Sequence, residues 1–236
     1  PIREALELIR ATLVQGDDFE PKTAERNFSV AADNYFESVA LGPLMAMLHN
    51  SGEGLSLDTL PLEHDSISRL QRMDVDLVVD YVKPESDAIQ AEQISAEQLV
   101  VIARKSHPRF AGRKGHSLSL DQYLAEEHVF LPLRSRERSQ LELALGGREF
   151  PRKRAAQVQN FCSMLPVVAA TDYLAVMPSR LYHLYAKAFD LRWFQFPVDI
   201  APIPIWMMWA NSLQNDSGHR WFRNTVKQVA DGLAEH

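Results

Sequence analysis

Residues 28–35 have the sequence FSVAADNY and join a strand-type segment to the start of a helix. The mostly apolar run Phe28–Ala32 predicts a strand. Asp33 and Asn34 are residue types that cap helix N-termini, and the apolar residues after them predict a helix over Asn34–His49. A strand that passes directly into a helix indicates an α/β fold.

The same alternation of strands and helices continues along the chain and gives two β-α-β-α-β units. The first unit is completed by a strand at Leu55–Leu62, a helix at Asp65–Met73 and a buried strand at Val75–Tyr81. In the second unit we predict strands at His128–Pro132, Arg154–Gln159 and Tyr173–Met177, and helices at Glu137–Leu145, Phe161–Thr171 and Pro178–Ala188. Such alternation predicts mostly parallel sheets that are covered by helices.

Four further segments connect these units and complete the chain. Glu97–Lys105, with LVVIA at its centre, predicts a strand that crosses from one lobe to the other. Two more strands are expected at Arg192–Phe196 and Ile203–Ala210, and a last helix at Ser217–Glu235. We therefore expect two lobes that face each other. Because ligands of open α/β sheets bind beyond the carboxyl ends of the strands, the cleft between the lobes is the expected site.

The composition favours a soluble globular protein. The 236 residues are 46% hydrophobic and 24% charged, and the net charge of −6 makes the chain a poor binder of DNA by charge alone. Basic residues cluster at 134–138 and 148–154, where solvated loops are favoured over a phosphate site. Cys162 is the only cysteine, which excludes an internal disulfide; its apolar neighbours favour a buried, inert thiol over a reactive one. With no apolar run of membrane-spanning length and no export signal, we expect a cytoplasmic protein without membrane contact.

Six segments resemble the effector-binding (substrate-binding) domain of LysR-type transcription regulators in order and spacing. They are FSVAADNY (28–35) with LGPL (41–44), LQRMDVDLVV (70–79), QLVVIARKSHP (98–108), SLSLDQYL (117–124), AATDYLAVMPSR (169–180) and DSGHRWFR (216–223). Two positions depart from the family: Asp172-Tyr173 stands where a Gly is frequent, and Asp33-Asn34-Tyr35 where many members have Ser or Thr. The resemblance implies an α/β fold of two Rossmann-like lobes with a cleft between them, of the type 2 periplasmic-binding-protein kind.

The resemblance also implies a domain organisation and partners. Residues 1–15 would be the end of a linker helix, 26–96 and 197–236 lobe I, and 97–196 lobe II. Ile2, Leu6, Ile9 and Leu13 form the apolar stripe that such a helix needs. The winged helix-turn-helix of the family is absent from this chain, so DNA would be bound only through the missing N-terminal domain. A small-molecule effector and a homodimer or homotetramer are the further expected partners; helix 35–49 and residues 1–14 offer apolar faces for self-association.

Twelve residues are candidates for effector binding, because they follow strand ends or match positions where effectors contact the family. They are Asp33, Asn34, Tyr35, Phe36, Asp80, Tyr81, Leu131, Arg134, Phe161, Cys162, Ser163 and Met177. Structural roles remain open for several of them. Asp33 or Asn34 can cap the helix instead, Tyr35 and Phe36 are favoured as core residues, Asp80 can form a turn, and Arg134 can be a surface residue.

Three other functional classes compete with the regulator. An enzyme is disfavoured because the sequence has no G-x-S-x-G, P-loop or G-x-G-x-x-G motif. No cofactor is expected, and the histidines lack metal-binding spacing, so no metal site is expected either. A periplasmic-type solute-binding protein is the main alternative, since it shares the two-lobe architecture; a self-associating domain without a ligand is the third possibility.

Overall fold

The structure of the chain is a computed structural model, which describes residues 19–132, 140–146, 148 and 150–234. The helix expected at residues 1–14, the linker end at 1–15 and Arg134 lie outside these residues. The chain divides into two compact units: unit 1 extends to Ser95 and resumes at Pro204, and unit 2 is Ala96–Ile203. The sequence interpretation placed the second boundary at 196/197. The strand that carries the chain back begins only at Ile203, and this moves the boundary.

The elements follow one another in this order. The first part of unit 1 contains β1 (Arg26–Ala32), α1 (Asn34–Phe36), a π-helical segment (Glu37–Leu41), α2 (Gly42–Ser51), β2 (Leu55–Pro61), α3 (Ser66–Gln71), β3 (Leu77–Asp80) and β4 (Ile89–Glu97). Unit 2 contains β5 (Leu99–Arg104), α4 (Leu120–Leu124), β6 (Glu127–Phe130), α5 (Gln140–Ala144), β7 (Lys153–Gln157), α6 (Phe161–Ala170), β8 (Leu174–Pro178), α7 (Ser179–Tyr185) and β9 (Leu191–Gln195). Unit 1 is completed by β10 (Ile203–Ala210), a 3-10 turn (Asn211–Leu213) and α8 (Ser217–Ala234).

Three details differ from the sequence predictions. Strand β4 was not predicted, because its sequence IQAEQISAE has isoleucines as its only strongly apolar residues. The predicted crossing strand Glu97–Lys105 is therefore two strands, since Glu97 ends β4 and β5 begins at Leu99. Helix α4 was also missed, and α7 begins at Ser179 because Pro178 is the last residue of β8.

Both sheets are mixed, not mostly parallel as the alternation predicted. In unit 1 the strand order is β2-β1-β3-β10-β4, with β1 parallel to β2 and β3, and β10 antiparallel to β3. In unit 2 the order is β7-β6-β8-β5-β9, with β6 parallel to β7 and β8, and β5 antiparallel to β8 and β9. The antiparallel members β5 and β10 lie next to the unit boundaries. Two parallel neighbouring strands need a long crossover connection, usually a helix, whereas antiparallel neighbours do not. β5 and β10 can therefore run opposite to the neighbouring strands of their sheets.

The first helix of unit 1 contains a proline in its middle without ending there. The helical run from Asn34 to Ser51 passes through the π-helical segment Glu37–Leu41, and Pro43 lies in the first turn of α2. Proline has no backbone N–H, so a regular helix would lose one hydrogen bond at this point. A π-helical turn is a common way to absorb such a disruption. The predicted helix at Asn34–His49 is confirmed.

The segment DSGHRWFR (216–223) anchors the last helix to the sheet of unit 1. The ring of Phe222 stacks on that of Phe28 in β1 at 4.2 Å between centroids. The Asp216 carboxylate accepts from the His219 backbone N–H at the start of α8 and forms an ion pair with Arg26 at 2.8 Å. The segment 216–223 therefore attaches α8 to β1 by apolar packing and by the Arg26–Asp216 ion pair, and Asp216 also caps the helix.

Helix α8 contains a buried histidine–arginine pair, His219 and Arg223. The guanidinium of Arg223 donates to His219 Nδ1 at 2.6 Å and to the carbonyls of Leu213 and Gln214. Since Nδ1 accepts, the hydrogen of the ring is on Nε2, which donates to the Asp76 carbonyl at 3.0 Å. Both ring nitrogens are thus used, although the His219 residue is 0% exposed.

A buried carboxylate fixes the start of unit 2. Glu97 accepts at Oε1 from the N–H and hydroxyl of Ser179, and its Oε2 lies 2.8 Å from a guanidinium nitrogen of Arg180. The Glu97 side chain is 3% exposed, so the charge is compensated by these donors and not by water. The contacts connect the end of β4 to the first turn of α7.

Candidate functional site

The unit 1 candidates lie at one edge of its sheet. Strands β1 and β3 are parallel neighbours, with Ala31 paired to Val78, so their carboxyl ends reach the same edge. Asp33–Phe36 directly follow β1, Asp80 is the last residue of β3, and Tyr81 follows it. All six of the unit 1 candidates therefore belong to segments at the carboxyl-end edge of this sheet; their role in effector binding stays a prediction.

Asp33 caps the helix that follows β1. Its Oδ1 accepts hydrogen bonds from the backbone N–H groups of Tyr35 (3.1 Å) and Phe36 (3.2 Å). This is the capping alternative left open by the sequence. Two of the N–H groups that a helix N-terminus offers to an anion are therefore already used by a carboxylate. Asn34 is half-buried beside Asp33 and begins the helix.

The aromatic candidates of unit 1 are core residues. Tyr35 is 6% exposed, Phe36 5% and Tyr81 9%. The favoured interpretation of Tyr35 and Phe36 as core residues is confirmed. Asp80 is half-buried, and its Oδ1 accepts from the backbone N–H of Tyr81 at 2.7 Å. The polar groups at this edge are thus mainly the two carboxylates and Asn34.

The unit 2 candidates in the described residues also follow the carboxyl ends of parallel strands. Leu131 follows β6 and is half-buried. Phe161, Cys162 and Ser163 form the first turn of α6, after β7, and Met177 lies near the end of β8. Strands β6, β7 and β8 are parallel neighbours, so these residues belong to one edge of the sheet. Arg134, the cation selected from the sequence, lies outside the described residues.

Exposure separates the unit 2 candidates into two groups. Phe161 is 5% and Met177 0% exposed, so both pack in the core. Cys162 and Ser163 are half-exposed. The expectation that Cys162 is a buried thiol is wrong, because Cys162 lies beside the N-cap of α6 while the neighbouring Met164 and Leu165 face the core.

Asn160 is a residue of this edge that the sequence interpretation missed. It is the N-cap of α6, and its Oδ1 accepts from the Ser163 N–H and from the Ser163 hydroxyl, both at 2.9 Å. An Asn directly before an apolar helix is a recognised capping signal and was available in the sequence. The Ser163 hydroxyl is thereby held at the first turn of α6.

Two cavities within the described residues lie away from these candidates. One, of about 790 Å³, is in unit 1, in the segment between β3 and β4, and is lined by residues 83–87 and 89–91. The ammonium of Lys83, one of these lining residues, lies 5.3 Å from the centre of the Trp206 ring. The other, of about 340 Å³, is in unit 2; its lining includes His107, Glu126 and Asp172. None of the eleven candidates that the structure describes lines either cavity. No group of three His, Cys, Asp or Glu suited to a metal ion occurs among the described residues.

Comparison with known families identifies the class of protein to which this fold belongs. The family model of the LysR substrate-binding domain matches residues 22–231. The chain belongs to this family: it is a regulatory domain of the LysR-type transcription regulators, with their type 2 periplasmic-binding-protein-like fold. The family membership favours the regulator over the solute-binding alternative.

Individual relatives are similar over nearly the whole chain. Nodulation protein D 1 of Rhizobium tropici is 26% identical over 236 residues, which are 99% of this chain and 75% of the relative. A structure described as a probable transcriptional regulator from Pseudomonas aeruginosa has 27% identity and a TM-score of 0.82 over 96% of this chain and 74% of its own. The effector-binding domain of QuiR in complex with shikimate shares the fold, with a TM-score of 0.69 and 14% identity over 89% of this chain and 99% of its own. No helix in the described part of the chain is long and apolar enough to cross a membrane.

Proposed function

We propose that the chain is the effector-binding and oligomerisation domain of a cytoplasmic LysR-type regulator, a sensor and not an enzyme. A small molecule would bind in a cleft between the two units, and DNA would be bound through an N-terminal domain outside this chain. The observation that carries the proposal is the gathering of polar strand-end residues at one edge of each sheet: Asp33, Asn34 and Asp80 in unit 1, and Asn160 and Ser163 in unit 2. In open α/β sheets, carboxyl-end edges are where ligands bind.

The charges at the unit 1 edge favour a particular ligand chemistry. Asp33 and Asp80 are carboxylates, and Asp33 already accepts from the helix N-terminus. A second anion placed here would be repelled, whereas hydroxyl or amine donors of a ligand would be attracted. In unit 2 the Ser163 hydroxyl offers a polar contact next to the half-exposed Cys162. We therefore infer a polyhydroxylated or amine-bearing effector at the unit 1 edge, with any acidic group bound elsewhere.

Sensing requires that the ligand binds one arrangement of the domain better than another. A ligand with equal affinity for both arrangements would change nothing, however tightly it bound. The difference in affinity is the free energy that would be transmitted to the partner subunits and to the DNA-binding domain.

Two apolar helix surfaces support the oligomerisation part of the proposal. On α2, Met45 is 38% exposed, and Pro43 and Ala46 are exposed beside it. On α6, Pro166 and Ala170 are exposed in a helix whose sequence is FCSMLPVVAA. Apolar surface of this kind is typical of contacts between protein chains. Sedimentation of the wild type and of Met45→Glu would test this: we expect the variant to have a lower mass at equal concentration.

The experiment that tests effector binding is a thermal-shift screen with small aromatic acids, phenols, amino acids, sugars and shikimate as probes. A probe present at a hundredfold excess over its Kd should stabilise the domain by about 2.7 kcal/mol. A probe that binds at the strand-end edges should bind about tenfold more weakly to Asn34→Ala and to Ser163→Ala, since each loses one hydrogen bond.

Asn27→Ala is the matched control for the Asn34 variant. Asn27 lies on β1, the strand that precedes Asn34, and is exposed near the amino-terminal end of β1, where its side chain donates to Asp58. The affinity of the probe should be unchanged in this variant. Silence across the whole screen, or a hit whose affinity is the same in Asn34→Ala, Ser163→Ala and wild type, would contradict the proposed site.

A further inference from the structure

Two neighbouring buried side chains of unit 2, Tyr123 and His128, each have a polar atom that lacks a well-formed hydrogen bond to the described residues. Tyr123 on α4 is 0% exposed and His128 on β6 is 1% exposed, and their rings meet edge to face at 4.4 Å between centroids. In the described part of the chain, His128 Nδ1 has no hydrogen-bond partner, and the Tyr123 hydroxyl has none apart from the Arg152 guanidinium close to it. Buried polar atoms are nearly always hydrogen-bonded, so two adjacent exceptions indicate a place where something else binds.

The protonation of His128 follows from its other nitrogen. Nε2 lies 3.0 Å from the backbone carbonyl of Tyr123, which can only accept, so Nε2 carries the hydrogen. Nδ1 is therefore a lone-pair acceptor. Burial lowers the pKa of His128 to about 4, with the nearby Arg152 adding to this effect, so the imidazole is neutral at physiological pH. His128 thus requires a donor from its occupant.

The Tyr123 hydroxyl can donate a hydrogen bond, whereas His128 Nδ1 can only accept one. Burial raises the pKa of Tyr123 to about 12, although the guanidinium of Arg152 is close enough to oppose this rise. The hydroxyl therefore keeps its proton and can donate. The ring of Phe196 packs on Tyr123 at 5.4 Å and makes an apolar wall, so a hydrogen bond formed here would be protected from water.

Arg152 adds a positive charge beside these two side chains. Its guanidinium lies 4.3 Å from the centre of the Phe130 ring, two residues beyond His128 on β6. Among the residues that the structure describes, no carboxylate forms an ion pair with this guanidinium, which lies close to the Tyr123 hydroxyl. The side chain is half-buried, whereas the neighbouring Lys153 and Arg154 are exposed. Arg152 thus offers several N–H donors to a ligand. Of Tyr123, His128 and Arg152, it is the side chain that reaches solvent.

We propose that Tyr123, His128 and Arg152 form a binding site for a small monoanion that carries an O–H group, of the hydrogen carbonate class. The oxygens of such an anion accept from the Arg152 guanidinium and from the Tyr123 hydroxyl, and its own O–H donates to His128 Nδ1. Every unsatisfied group of the cluster is then paired, and the anion is neutralised by the guanidinium. A fully deprotonated or hydroxyl-free anion leaves Nδ1 without a donor.

This site is independent of the proposed effector site. His128 lies within β6 and Tyr123 on α4, whereas the effector candidates of unit 2 follow the carboxyl ends of β6, β7 and β8. The proposal therefore adds a second ligand to the domain and does not require the first.

Hydrogen carbonate and nitrate are the probes that test it. Both are planar monoanions of similar size, but only hydrogen carbonate has an O–H. With ¹⁵N-labelled histidine, titration at constant pH and ionic strength should move the His128 ring signals saturably with hydrogen carbonate, and nitrate should bind at least about tenfold more weakly. The His128 signals are assigned by their loss in His128→Gln.

Arg152→Met and Arg154→Met form the matched pair of variants. Both remove one positive charge from the same edge of unit 2, but Arg154 is exposed and bonds to Gln157. We expect Arg152→Met to weaken hydrogen carbonate binding at least about tenfold and Arg154→Met to change it by less than about twofold. Tyr123→Phe should weaken binding about tenfold; because Arg152 is half-buried, the arginine pair gives a result even if the tyrosine variant does not fold.

Three results would overturn the proposal. Equal affinity for nitrate and hydrogen carbonate would show that the O–H does not reach Nδ1. Equal loss in Arg154→Met would assign binding to the general positive charge of this edge. Absence of any saturable shift would leave water as the partner of the three groups.

Discussion

Acidification from about pH 7.5 to about pH 5 should destabilise both units, because each keeps a neutral histidine in its interior. Burial lowers the pKa of His219 in unit 1 and of His128 in unit 2 to about 4, from an ordinary value of 6.5. At His219 the charge of Arg223 acts in the same direction, while the Asp76 carbonyl and carboxylate oppose it. The folded state therefore binds fewer protons than the unfolded chain between these two pKa values.

The size of the effect follows from proton linkage. A group with a lowered pKa in the folded state contributes its full stability above the unfolded pKa, and this is lost as the pH falls towards the folded pKa. About pH 5 lies about 1.5 units below the unfolded value, and each unit corresponds to about 1.4 kcal/mol, so each histidine should cost about 2 kcal/mol. Below about pH 4 the contribution of both histidines should level off.

Urea unfolding followed by tryptophan fluorescence can assign the loss to each unit. Trp206, Trp209 and Trp221 report on unit 1, and Trp193 reports on unit 2. In His219→Gln, which cannot become charged, the loss in unit 1 should fall from about 2 kcal/mol to near zero, and the loss in unit 2 should remain.

The exposed His49 on α2 provides the control, and His49→Gln should leave both losses unchanged. The reasoning is refuted if unit 1 still loses about 2 kcal/mol in His219→Gln, or if the wild-type domain is equally stable at the two pH values.

Two further predictions concern stability. In Gly218→Ala, the new Cβ would collide with the Arg26 guanidinium and disturb its ion pair with the N-cap of α8, so urea unfolding should show a loss of about 1–3 kcal/mol. Gly232→Ala in the same helix meets no atom within 4 Å and should be neutral or stabilising by up to about 1 kcal/mol; a loss as large as that of Gly218→Ala would contradict the steric argument. Glu97→Ala should cost about 3 kcal/mol in the same assay, because it leaves Arg180 and two helix N–H groups without their acceptor. Glu97→Gln, which keeps an acceptor oxygen, should cost about half as much, and an equal cost in both variants would show that the carboxamide does not cap α7.

The sequence predicted elements best where their signal is local and strong. IPIWMMWA predicts a strand at Ile203–Ala210, and these are the residues of β10. The helix after Asp33 was predicted through Pro43, because its apolar pattern continues beyond the proline. Strand β4 was missed because its polar sequence has no strand signal of its own and is held in place by the sheet.

Candidate residues were predicted less completely than strands. The capping role of Asp33 could be anticipated, and that of Asn160 was visible in its position before an apolar helix. The partial exposure of Cys162 could not be anticipated from the sequence, since it depends on which face of α6 the sheet covers. The approach of Arg152 to Phe130 and Tyr123 could not be anticipated either, because these three residues come from different segments of the chain.

The sequence by itself determined the family, the alternation of strands and helices, and the strand ends where polar residues gather. These properties depend on periodicity and on neighbours within a few residues, which the order of amino acids states directly. Only the tertiary structure decided strand direction in the mixed sheets, the burial of His219 and His128, and the meeting of Tyr123, His128 and Arg152. Those properties arise from contacts between residues that are distant along the chain, and burial then gives each polar group a free energy that its sequence position alone does not specify.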